Sequence, residues 1–234
     1  MWLDGIYMGS PFLARYSKDF NQAELFDFVT FQIQEIYKET LDKNTGLLYH
    51  AWDESRMQRW CNPETGQSKH FWSRAEGWYL MAIVDVLDYL PENHPQRAAI
   101  IEILNKVSEA LVKVQDEKTG LWYQVLDKAG EERNYLEASG TAMFIYAFAK
   151  GAKKGYLDKK YLDIANNAFD SMVQVMVKTG ADGLPVLTNT CGACGLGGNP
   201  YREADYNYYV TEVQVENDQK GVAPFILAAI ELNK

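Results

Sequence analysis

The stretch Trp78-Tyr-Leu-Met-Ala-Ile-Val-Asp-Val86 decides the fold class, because it is apolar nearly all round a helix. A helix of this kind is buried on every side, as it is in an inner ring surrounded by an outer one. We therefore predict a buried helix over residues 72–90, in an all-α protein.

A pair of helices repeats along the chain. Each pair combines a helix rich in small and aromatic residues with an amphipathic helix, and most pairs close with a Gly-Leu turn. Asn21 and Glu24 have the spacing of a capping box at the start of the first amphipathic helix. The pattern predicts about seven helices, over residues 6–16, 21–41, 72–90, 96–114, 136–150, 160–177 and 221–232.

The unequal lengths of the repeats favour a closed toroid over a regular solenoid. Tetratricopeptide-type repeats run to about 34 residues, roughly half of the spacing here, which argues against that alternative. An (α/α)6 barrel needs twelve helices, so we predict a single domain over residues 1–234 that forms an incomplete barrel. The missing helices would precede Met1.

Composition narrows the class of partner. Hydrophobic residues make up 47% of the chain, and 23 Lys and Arg oppose 32 Asp and Glu for a net charge of −9. This balance argues against nucleic-acid binding, and no apolar stretch has the length of a membrane span. An anionic sugar remains a possible ligand, provided that an Arg or Lys lies in the site. The three cysteines, Cys61, Cys191 and Cys194, form neither a disulfide framework nor a zinc site.

Polar and aromatic residues concentrate in the loops before the predicted inner helices and in their first turns. An arginine can pair with a sugar carboxylate through two hydrogen bonds, and indole rings can stack on the sugar. A carboxyl group among apolar residues is a candidate general acid. The candidate site residues are Asp4, His50, Trp52, Trp72, Arg74 and Trp78.

Each candidate also has a purely structural explanation. Asp4 could cap the first helix, and His50 could be a buried histidine with its hydrogen bonds satisfied. Arg74 could form a surface ion pair with Glu76 or Asp85. Burial in the core would account for two of the aromatic residues, Trp52 and Trp72.

Five segments, residues 1–16, 48–54, 71–82, 137–143 and 217–225, together resemble the unsaturated rhamnogalacturonyl hydrolases of glycoside hydrolase family 105. They include Met1-Trp-Leu-Asp-Gly5, Leu48-Tyr-His-Ala-Trp-Asp-Glu54 and Phe71-Trp-Ser-Arg-Ala-Glu-Gly-Trp78. The matches occur in order and extend over nearly the whole chain. The resemblance implies an (α/α)6 barrel that hydrolyses a terminal 4,5-unsaturated galacturonic acid, with no metal or organic cofactor.

The resemblance also assigns roles. It makes Asp4 the general acid, which protonates C4 of the vinyl ether so that water adds at C5 and the ring opens. His50, Trp72, Arg74 and Trp78 match residues of the family's pocket. The family has a second important Asp in a part that would precede Met1, and we attribute its absence to a truncated reading frame or an incomplete gene sequence.

Other functions stay open at this stage. The related family 88 enzymes act on unsaturated glucuronic acid in glycosaminoglycans, and the chain could also be a non-catalytic sugar-binding remnant. An epimerase on the same toroid would depend on pairs of histidines, and only three histidines are present. We expect an oligosaccharide ligand, a monomer or homodimer, and a cytoplasmic location, or a periplasmic one if a leader precedes Met1.

Overall fold

The chain folds into helical hairpins arranged in an arc. The computed structural model describes residues 1–234. The helices are α1 (Asp4–Phe20), α2 (Glu24–Thr40), α3 (Ser73–Val86), α4 (Arg97–Lys113), α5 (Ala138–Lys153), α6 (Lys160–Met176), α7 (Tyr206–Thr211) and α8 (Gln219–Leu232). Two small antiparallel sheets complete the fold: β1 (Val177–Thr179) with β2 (Pro185–Leu187), and β3 (Thr190–Cys191) with β4 (Gln214–Val215).

The long helices form an inner and an outer row. In the inner row α1 packs on α3, α3 on α5, and α5 on α8, while α2, α4 and α6 pair with α1, α3 and α5 from outside. Nearly every residue of α3 and α5 is buried, which explains why their sequences are apolar all round. None of the helices combines the length and the apolar character needed to cross a bilayer.

The seven predicted helices are confirmed, with small shifts at their ends. The short helix α7 and the four strands were not predicted, because segments of two to six residues show no clear periodicity. The predicted capping box was wrong. Asn21 instead ends α1 in the left-handed conformation (φ 55°) with its N–H bonded to the Ser17 carbonyl, and no side chain caps α2.

The arc is open between α8 and α1, the two ends of the inner row, which have no extensive contact with each other. The outward stripe of α1 is apolar at a spacing of four residues: Met8, Phe12, Tyr16 and Phe20 are exposed by 61%, 68%, 40% and 61%. Ile226 and Ile230 of α8 are exposed as well. The sequence prediction of an incomplete ring is therefore confirmed, and apolar surface lies at its open edge.

The loops that precede the inner helices gather at one end of the arc. Short bridges tie them together, Trp2 to Ala51 and Trp72 to Val125. As a result, the N-terminal ends of α1, α3, α5 and α8 face the same region. The partial positive charge at a helix N-terminus favours anionic groups nearby.

Candidate active site

A cavity of about 310 Å³ lies at this end of the arc. The first turns of α1, α3 and α8 line it, together with the glycine-rich segment 193–195. Its side chains include three tryptophans, one carboxylate and three cations: Trp2, Trp72, Trp78, Asp4, Arg74, Arg202 and Lys220.

A larger cleft of about 750 Å³ lies elsewhere, beside the C-terminal ends of α1 and α3. Lys18, Asp88 and Arg97 are among its lining residues, but none of the predicted site residues reaches it. Arg97 is already bound within the protein, since it donates to the Leu87 and Leu90 carbonyls. The smaller cavity is therefore the better candidate for the active site.

Asp4 is the first residue of α1, and its side chain makes no capping hydrogen bond. Its Oδ2 atom is buried and has no hydrogen-bond partner. The same atom lies 3.5 Å from Nε2 of His50. Asp4 is therefore not a helix cap, and its free oxygen is directed at a histidine inside the cavity wall.

His50 is fully buried behind Asp4. Its ring packs against Trp72, with centroids 4.7 Å apart, and its Nδ1 atom lies 2.8 Å from the Tyr209 hydroxyl. Burial raises the pKa of Tyr209 well above its ordinary value, so this phenol stays neutral and can donate to Nδ1. When the hydroxyl donates to Nδ1, the His50 proton is on Nε2, the nitrogen that faces Asp4. Because Nε2 has no hydrogen-bond partner, the histidine is not simply a satisfied core residue.

Arg74, the second residue of α3, is 1% exposed. Its Nε atom donates to Ser139 Oγ at 2.7 Å, and one terminal nitrogen, Nη2, donates to the Cys191 carbonyl. The same nitrogen lies 3.6 Å from Oε1 of Glu137. The other, Nη1, has a single contact of 3.5 Å, to the Gly192 carbonyl. Arg74 thus holds the segment 191–192 against α5 and keeps one donor largely free at the cavity.

The surface ion pair considered for Arg74 is absent. Glu76 is itself buried and accepts a hydrogen bond from the Leu48 amide at 3.0 Å. Burial raises the pKa of Glu76 well above its ordinary range. Asp85 pairs instead with Lys150 at 2.7 Å. Glu76 therefore anchors the segment that carries His50, and Arg74 belongs to the cavity.

Two of the three predicted tryptophans reach the cavity. Trp72 is buried; its Nε1 donates to Gln124 at 3.0 Å, and Cζ of Arg74 lies 5.1 Å from its ring. Trp78 is half-buried and stacks on Tyr7, with centroids 4.6 Å apart. Both therefore present aromatic surface to the cavity.

Trp52 is not among the residues that line the cavity. Its Nε1 atom donates to the Thr65 carbonyl at 3.2 Å, and its ring packs against the backbone at Gly66. Trp52 is therefore held by a loop outside the cavity. Contact between Trp52 and the substrate stays a prediction.

Sequence reasoning missed three charged or aromatic side chains of the cavity, Trp2, Arg202 and Lys220. Trp2 and Lys220 lie inside segments whose resemblance to family 105 was recognised, so those segments could have pointed to them. Arg202 follows the glycine-rich run 192–198 and falls outside every matched segment. No pattern in the sequence connects it to Asp4, because only the folding of that run brings the two residues to one cavity.

The profile of the Glycosyl Hydrolase Family 88 matches residues 1–234. The chain belongs to Glycosyl Hydrolase Family 88. Protein Atu3128 of Agrobacterium fabrum is 36% identical over 232 residues, which are 96% of this chain and 97% of that protein. The unsaturated rhamnogalacturonyl hydrolase YesR of Bacillus subtilis is 29% identical over 152 residues, 65% of this chain and 41% of that enzyme.

Among solved structures, a family 105 glycoside hydrolase of C. acetobutylicum is 45% identical to this family 88 chain, with a TM-score of 0.97. The superposition covers 100% of this chain and 65% of that one. The predicted relation to families 105 and 88 and the predicted helical toroid are both confirmed. The chain thus spans nearly all of Atu3128 but about two thirds of the family 105 structure and less than half of YesR.

Proposed function

We propose that this chain carries the catalytic acid and the uronate-binding wall of a glycoside hydrolase. Its substrate is an oligosaccharide, derived from rhamnogalacturonan, that ends in a 4,5-unsaturated galacturonic acid. Family membership supports the general class of reaction. The name of the relative YesR supports the kind of sugar.

The relation between Asp4 and His50 is the observation that carries the proposal. Oδ2 of Asp4 is buried without a partner at the cavity, 3.5 Å from the equally unpartnered Nε2 of His50. This carboxyl oxygen caps no helix, and its one polar neighbour is His50. It can carry a proton to a bound substrate and take one back, while the histidine behind it fixes its orientation.

The cavity also suits an acidic sugar. Arg74, Arg202 and Lys220 place guanidinium and ammonium groups in its wall, within a protein of net charge −9. The N-terminal ends of α1, α3 and α8 add partial positive charge at the same place. Trp72 and Trp78 offer aromatic surface on which a planar unsaturated ring can stack.

The chemistry follows from the vinyl ether. Asp4 donates its proton to C4, positive charge develops at C5, and the Asp4 carboxylate then removes a proton from the water that adds there. The resulting hemiketal opens and releases the neighbouring sugar. One carboxyl group therefore serves as acid and then as base, so the paired carboxylates of ordinary glycosidases are not needed.

Loss of the double bond provides a direct test. The chain is incubated with unsaturated galacturonyl-rhamnose while the ultraviolet absorbance of the conjugated double bond is followed. We expect the absorbance to disappear with the unaltered chain and to persist with Asp4→Asn. Asp19→Asn is the matched control, because Asp19 is exposed on the same helix and contacts only Arg15.

Three other outcomes would contradict the proposal. Release of rhamnose with the absorbance unchanged would indicate an ordinary glycosidase. Faster loss of absorbance with an unsaturated glucuronyl disaccharide from a glycosaminoglycan would shift the substrate class. Binding of the galacturonyl disaccharide without any turnover would make the chain a sugar-binding protein.

A further inference from the structure

Two of the three cations in the cavity already have carboxylate partners. Nη2 of Arg74 lies 3.6 Å from Oε1 of Glu137, and Nζ of Lys220 lies 2.7 Å from Oδ1 of Asp218. Each of these pairs has little net charge to offer an anionic ligand. Arg202 differs, since no carboxylate lies within ion-pair distance of its guanidinium group.

The backbone of the glycine-rich run holds Arg202 in place. Residues 197 and 202 exchange backbone hydrogen bonds of 3.0 and 3.2 Å, and the Nε atom of Arg202 donates to the Gly197 carbonyl at 2.7 Å. These bonds use one guanidinium donor and fix the plane of the group. Both terminal nitrogens, Nη1 and Nη2, have no hydrogen-bond partner within the protein.

Glycines make room for these two nitrogens. A Cβ atom at Gly195 would lie 2.4 Å from Nη1, and one at Gly198 would lie 2.6 Å from Nη2. Any other residue at either position would collide with the guanidinium group as it is placed. The glycine-rich run therefore leaves space for the Arg202 guanidinium group, whose two terminal nitrogens remain unbound. Gly195 itself lines the cavity.

We propose that Arg202 binds the carboxylate of the unsaturated uronic acid through its two free terminal nitrogens. A guanidinium group recognises a carboxylate best through two parallel hydrogen bonds. Among the three cations of the cavity, Arg202 is the one whose two terminal nitrogens are unpaired and whose charge no carboxylate compensates. Arg74 acts mainly as a positioning residue, because its bond to the Cys191 carbonyl holds the start of the same run. This inference rests on the proposed function and names the residue that selects an acidic sugar.

The test compares the disaccharide unsaturated galacturonyl-rhamnose with its methyl ester, which lacks the negative charge. We expect Arg202→Gln to lower kcat/KM for the acid about tenfold or more, mainly through KM, and to leave the ester nearly unaffected. Arg202→Lys should recover only part of the loss, since lysine keeps the positive charge but lacks the two parallel N–H donors of the guanidinium group. Arg133→Gln is the control, because Arg133 is exposed and does not line the cavity.

A second variant keeps Arg202 but displaces it. Gly195→Ala should produce the same loss of preference for the acid over the ester, since its Cβ atom would lie 2.4 Å from Nη1 and force the guanidinium group to move. Equilibrium binding of the acid and the ester is measured for every variant, so the inference is tested even if no variant turns substrate over. Lack of turnover in the unaltered chain would count against the proposed function alone. An unchanged preference for the acid in both Arg202→Gln and Gly195→Ala would overturn the role of Arg202.

Discussion

Nε2 of His50 lies 3.5 Å from Oδ2 of Asp4, and neither atom has a hydrogen-bond partner elsewhere in the protein. Buried polar atoms are nearly always paired, so these two atoms have only each other and whatever group binds beside Asp4 in the cavity. In the proposed reaction that group is the substrate, which receives the Asp4 proton.

Replacement of Asp4 separates catalysis from stability. Asp4→Asn cannot donate an acidic proton, so turnover should fall by about 10² or more. The melting temperature should barely change, because the Asp4 side chain makes no capping bond in α1. Kinetics and thermal denaturation of Asp4→Asn, beside the Asp19→Asn control, check both statements. Turnover close to that of the unaltered chain would remove Asp4 from the mechanism.

Tyr209 should contribute through His50. Tyr209→Phe removes the hydroxyl 2.8 Å from Nδ1 and leaves a buried ring nitrogen without a partner. An unsatisfied buried group costs about 1 to 3 kcal/mol, so the free energy of unfolding should fall by about that amount, and turnover should fall with it. Denaturant unfolding measures the first effect, with the exposed Tyr16→Phe as control. Unchanged stability would mean that the hydrogen bond contributes nothing.

Glu76 should make the protein less stable as the pH rises. Burial raises its folded-state pKa well above 4.5, so above that pH the unfolded state loses the proton while the folded state retains it. The stabilisation is complete below the unfolded pKa and is lost as the pH rises through the folded one, with a limiting slope of about 1.4 kcal/mol per pH unit. Glu76→Gln removes this dependence of stability on pH.

Melting curves between pH 5 and pH 8 test the prediction for Glu76. The melting temperature of Glu76→Gln, relative to the unaltered chain, should increase with pH across this range. Glu64→Gln, at an exposed position, should show no such trend. A constant difference between Glu76→Gln and the unaltered chain would show that Glu76 is ionised in the folded state.

Because the arc is open at α1, we expect substitutions of two phenylalanines to differ in their effect on the free energy of unfolding. Phe12 is 68% exposed on α1, whereas Phe144 of α5 is fully buried. Phe12→Ser should change the free energy of unfolding by about 0.5 kcal/mol or less, while Phe144→Ala should cost about 3 to 5 kcal/mol. Thermal denaturation compares the two. A large loss for Phe12→Ser would show that another segment or a second copy covers α1 in solution.

The sequence alone predicted the seven long helices and the incomplete ring. Helical periodicity is a local property of the sequence. Because the segment 78–86 is apolar nearly all round the helix, it indicates burial on every side, whatever its neighbours are. The segments around Asp4, His50 and Arg74 were also recognisable in the sequence, since a carboxylate, a histidine and an arginine among aromatic residues form compact local patterns. Short elements such as α7 lack a period and were missed.

Only the tertiary structure decided which of these groups act together. The choice between a helix cap and a free acid for Asp4 depended on whether its oxygen found a partner, which the packing of His50 determines. The proposed roles of Arg74 in positioning and of Arg202 in binding the carboxylate depended on where Glu137 and the glycine-rich run lie. Charge compensation is a property of distances between residues far apart in the chain, so no spacing within the sequence could reveal which arginine is left free.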